Sequence, residues 1–123
     1  MEQKKLLTDN DLFVYRGLVG LQLKYASEMD SHKVIEMQHA IMALISDVCK
    51  RVLKEKTGED FECEWSQDAK DQYAKMCGDA LTEAGKGFEA WIVKQAKIEA
   101  WVERYIEQAI VQAQLIDVRF KTN

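Results

Sequence analysis

From about Phe88 to Val118 the chain runs without glycine or proline, in a pattern that a long helix satisfies. Trp91, Ile98, Val102, Tyr105, Ala109 and Ile116 recur at helical spacing. Ile92, Val93, Trp101, Ile106, Ile110 and Val111 widen that stripe to well over half the circumference. At 1.5 Å per residue the segment spans on the order of 45 Å. A helix that is apolar on several faces belongs at the centre of a core or between subunits, so the remaining elements must be arranged around it.

Those elements also read as helices, and no proline occurs anywhere in the 123 residues to break one. A first helix begins near Thr8-Asp9-Asn10-Asp11, where short oxygen-bearing side chains can accept from orphan amides and acids complement the dipole. Leu12, Tyr15, Val19, Leu23 and Ala26 form its stripe. Gly17 and Gly20 weaken it by about 1 kcal/mol each relative to alanine, so we expect them to permit close approach of another backbone, or to kink the helix. Asp30-Ser31 caps a second helix with Val34, Met37, Ile41, Leu44, Val48 and Val52 in line. Its basic end, Lys50, Arg51, Lys54 and Lys56, suits the C-terminal dipole, and Gly58 suits a left-handed cap. Residues 58–65 read as an irregular loop or a short extended piece, which alone cannot make a sheet. Ser66 caps a third helix bearing Ala69, Tyr73, Met76, Ala80 and Ala84, and Gly85-Lys86-Gly87 ends or bends it. The expected fold is therefore all-α: one domain over residues 1–123, a bundle of about four helices with a long C-terminal helix, residues 1–8 forming a flexible arm.

Composition narrows the function classes. Hydrophobic residues at 47% and charged residues at 31% are those of a globular chain. No run approaches the length of a membrane span, and Met1 to Leu7 lacks the apolar core of a signal peptide, so a cytoplasmic protein with no membrane partner is expected. Cys49, Cys63 and Cys77 cannot all pair within one chain and match no zinc spacing, which reads as reduced thiols. The net charge of −4 argues against direct nucleic-acid binding, as do Asp68, Asp71, Asp79 and Glu83 on the helix that would have to enter a groove.

Catalytic patterns are sparse. Gly85-Lys86-Gly87 is too short for a phosphate loop, and Cys49 lies about three turns from His39 on the same helix. Glu36 and His39, three apart, form one Glu-x-x-His pair of the kind that holds metals in helical bundles, with His32 nearby. Glu99, Glu103 and Glu107 share a face at steps of four. A di-metal bundle needs two such pairs, and the glutamate ladder reads more simply as a solvated face, so no metal or other cofactor is expected and an enzyme is disfavoured.

The most informative stretch follows Gly58. Glu59, Asp60, Glu62, Glu64, Asp68 and Asp71 against Lys70 give a local charge of −5, interleaved with Phe61, Trp65 and Tyr73. Carboxylates steer toward a basic partner and buried aromatics anchor it. The alternative is that Phe61 and Trp65 fold inward as a plug and leave an acidic rim in water. On this reading the chain is a small interaction module, a regulator or inhibitor that docks Glu59, Asp60, Phe61, Glu62, Glu64, Trp65, Asp68 and Asp71 on a basic patch of another protein. That partner could itself bind nucleic acid, as for phage-type accessory proteins. Surface left on the last helix, with Trp101, Tyr105, Ile116 and Phe120, suggests a homodimer, unless an arm carrying Leu6 and Leu7 covers it. The rival readings are a structural subunit that forms homo-oligomers and a metal-dependent bundle enzyme using Glu36 and His39.

Overall fold

A computed structural model of the chain describes residues 6–122, with side chains described for residues 6–113. Four helices follow one another: α1 (Asp9–Ser27), α2 (Ser31–Thr57), α3 (Gln67–Ala84) and α4 (Phe88–Thr122). The all-α bundle expected from the sequence is the observed fold, and no strand occurs among the described residues. α1 packs along α2 and α3 along α4, while α2 meets α4 and α1 touches α3.

The boundaries follow from local chemistry. Thr8 caps α1 in a reciprocal box: its hydroxyl accepts from the Asp11 amide, and the Asp11 carboxylate accepts from the Thr8 amide. Asp30 caps α2 through the Lys33 amide. α2 ends at Gly58, whose φ of 77° is the left-handed conformation that a Cβ disfavours, as its sequence position suggested. Ser66 caps α3. α3 and α4 are separate helices, with Gly87 at φ 145° in the turn between them.

The core is built from all four helices. Tyr15 and Val19 of α1, Ile41, Ile45, Val48 and Leu53 of α2, Tyr73 and Ala80 of α3, and Ile98, Val102 and Ile106 of α4 are all buried. Inside this apolar packing the Tyr15 and Tyr73 hydroxyls meet at 3.0 Å. Burial raises both phenols well above the ordinary tyrosine range, so both stay neutral and the bond persists across working pH. Tyr15→Phe removes one partner from a buried hydroxyl. It should cost about 1–2 kcal/mol in urea unfolding, with helical content unchanged by circular dichroism.

Three features depart from the sequence reading. Of the arm expected over residues 1–8, residues 1–5 lie outside the described residues, and Leu6 to Thr8 are tied down: the Leu6 and Leu7 amides donate to the two oxygens of Glu103 at 3.1 and 3.0 Å, and Leu7 is buried. Gly17 and Gly20 neither break α1 nor admit a neighbouring backbone of the same chain, because α1 is continuous and nothing lies within 4 Å of a Cβ built at either. The glutamate ladder is not simply a solvated face. Glu99 takes a two-pronged bond from Arg16 at 2.7 and 3.0 Å, and Glu103 holds the N-terminal segment.

Candidate functional site

The loop after Gly58 is shaped by its aromatic side chains. Trp65 turns inward and donates its indole N–H to the Met42 carbonyl at 3.0 Å. Its ring stacks on Tyr105 at 4.5 Å and Trp101 at 6.2 Å between centroids, and meets Tyr73 at 5.5 Å. Trp101 and Tyr105 stack on each other, nearly parallel, at 5.3 Å. Phe61 and Cys63 also pack against the core. The plug reading therefore describes this loop: the rings go in and the carboxylates stay out. Glu59, Asp60, Glu62, Glu64, Asp68 and Asp71 are all exposed.

The acids do not form one uniform patch. Asp60 lies 3.2 Å from Lys54, at the basic end of α2. Asp71 accepts from Gln67 one turn earlier on α3. Glu62, Glu64 and Asp68 instead rim a groove of about 530 Å³ between the loop, the start of α3 and α4. Its lining includes Trp101 and Tyr105, with Ser46 and Cys49 from α2 and with Arg104, Gln108 and Gln112 from α4. Trp101 and Tyr105, proposed from the sequence as dimer residues, are thus engaged within the chain and also line the groove. Partial burial pushes the Tyr105 phenol up to about 12, so it remains a neutral donor in the groove.

Cys63 lines the groove beside Cys49. Burial pushes the Cys49 thiol up to about 12 and raises Cys63 as well, so neither is an activated nucleophile near neutrality. Cys49, Cys63 and Cys77 are free thiols.

No family model matches this chain, and no curated protein or solved structure is similar to it. Its function must be read from its own surfaces.

The other sequence candidates are placed as follows. Glu36 and His39 are exposed on α2, with Glu36 3.3 Å from His32. No three His, Cys, Asp or Glu side chains converge to hold a metal among the described residues. Ile116 and Phe120 lie outside the residues whose side chains are described. No described helix is long and apolar enough to cross a membrane. Sequence reading missed the groove itself. Its rim and floor come from segments about forty residues apart, and the only hint was that acidic and aromatic positions alternate around Trp65.

Proposed function

We propose that the chain is a cytoplasmic protein-interaction module that seats a basic segment of a partner protein in the groove between the 58–65 loop and α4. The observation that carries this reading is that Glu62, Glu64 and Asp68 line the same groove as Trp101 and Tyr105. A lysine or arginine side chain there gains carboxylate partners and aromatic neighbours. The glutamines at positions 108 and 112 add donors and acceptors for a peptide backbone. Among the described residues, Arg104 is the one cation lining the groove, and it sets the polarity with which a segment enters.

Occupying a basic surface is how such a module would act as a regulator or inhibitor. If the covered surface normally holds nucleic acid, the effect is competition with it. Self-association is part of the same reading, because a homodimer presents two grooves and gains avidity.

The test is capture from a lysate of the source cell, at low and moderate salt, by wild type and by a variant carrying Glu62→Lys, Glu64→Lys and Asp68→Asn. A partner held by wild type, weakened by salt and lost in the variant is the expected result. Glu59→Lys with Asp60→Lys should weaken capture less, since Lys54 already engages Asp60. Equal capture by the rim variant, with its helical content intact, would sink the proposal.

A further inference from the structure

α1 is apolar on two sides. Its inner face packs Tyr15 and Val19 into the core. On the opposite side, at about 100° per residue, lie Phe13, Gly17, Leu21 and Lys24, with Val14 at the margin. Phe13 is 79% exposed, and Val14 and Leu21 are 40% and 41% exposed. A shallow groove runs along this face past Gly17. Apolar surface on both sides of a helix is the mark of one that is covered on both sides.

The two glycines point the same way. Each lowers helix stability, and neither is needed for packing inside the chain, since a Cβ would meet nothing at either position. Their spare room faces outward, beside Phe13 and Leu21. Glycine in an exposed helix face lets a second helix approach closely and receives a bulky side chain from it.

We infer that this face is the contact surface for a second copy of the same chain, with the two α1 helices antiparallel about a twofold axis at Gly17. That arrangement builds on the self-association proposed above and assigns it a face. It sets Phe13 of one copy opposite Leu21 of the other, so a large ring and a branched side chain flank the close approach. It also brings Asp9, at the acidic start of one helix, within one residue of the position opposite Lys24, in the basic last turn of the other. Asp9 and Lys24 are exposed and make no ion pair among the described residues. The twofold axis forms that pair twice, and antiparallel helix dipoles add to it. The same stripe thus supplies bulge, hollow, acid and base in the order that self-pairing requires.

Sedimentation equilibrium of the full chain tests this. Wild type should be dimeric at micromolar concentration and weaken as salt rises. Gly17→Glu places a carboxylate against its own copy at the axis and should give a monomer with unchanged helical content. Lys24→Glu should raise the dimer Kd by roughly tenfold, since it turns two exposed attractions into repulsions, and adding Asp9→Lys should restore most of it. A wild-type monomer at every concentration overturns both this inference and the homodimer. A dimer that persists in Gly17→Glu keeps the homodimer but overturns the α1 face. A Lys24→Glu defect that Asp9→Lys leaves unrescued overturns the antiparallel pairing.

Discussion

Replacing Trp65 by alanine should destabilise the protein by about 3 kcal/mol and abolish binding in the groove. With Phe61 and Cys63, the indole holds the acidic loop to the bundle, and it alone of the three stacks on the α4 rings. It stacks on Tyr105 and Trp101 of α4, meets Tyr73 of α3 and donates to the Met42 carbonyl of α2. Alanine forfeits all four contacts and opens a void beside Tyr73, Trp101 and Tyr105. The loop that carries Glu62 and Glu64 then loses its anchor, and the rim disperses. Trp65→Phe keeps the stacking and loses the N–H, so it should cost about 1 kcal/mol and retain binding. Urea unfolding gives the stability change, and capture of the partner gives the rest. If Trp65→Ala unfolds at the wild-type midpoint, the loop is held by something else.

The second large effect is expected at Asp11. This buried carboxylate closes the α1 cap on Thr8 and takes a two-pronged bond from Arg51 at 2.9 and 2.7 Å. Arg51 is the main reason its pKa falls from 3.8 to about 2, with the Thr8 bonds adding to that and burial opposing it. Asp11→Ala removes the return half of the capping box, while the Thr8 hydroxyl still accepts from the residue-11 amide, and it leaves a half-exposed guanidinium without its main partner, at a cost of about 2 kcal/mol near neutral pH. The pH dependence has a definite sign. A carboxylate whose pKa is lower in the folded than in the unfolded chain contributes its full stabilisation above the unfolded value. It loses that contribution as pH falls from about 4 through about 2. The difference amounts to about 2 kcal/mol. Wild type should therefore lose more stability than Asp11→Ala between pH 6 and pH 2.5 in urea unfolding. Parallel pH profiles for the two proteins would contradict the pairing.

The helices were legible because they repeat local signals. Ser66 and Gly58 act where short polar caps and a left-handed glycine should, and the apolar periods of α2 and α4 match the buried residues Ile41, Val48, Val52, Ile98, Val102 and Ile106. Contacts between distant segments were not legible. Glu99 and Glu103 look like a solvent ladder from their spacing alone, and their partners, Arg16 and the Leu6 and Leu7 amides, lie more than eighty residues away. A backbone amide leaves no trace in a residue pattern. Asp11 was legible as a cap and Arg51 as a complement to the helix dipole, but their pairing needed the crossing of α1 over α2.

The acidic stretch shows the same limit. Alternation of Phe61, Cys63 and Trp65 with acids fits rings that point inward and rings that point outward equally well. Tyr73, Trp101 and Tyr105 decide it, because they offer Trp65 a stacked site from two other helices. Gly17 and Gly20 were expected to serve packing, and inside one chain they serve none.

The rim carboxylates are proposed to touch a basic partner. Zero-length carbodiimide cross-linking joins a carboxylate to a lysine amine only when the two are in contact, so it reads that claim directly. Applied to the captured complex and mapped by mass spectrometry, it should place cross-links to the partner's lysines at Glu62, Glu64 and Asp68. Cross-links confined to acids away from the groove, such as Glu28, Asp79 or Glu83, would contradict the account.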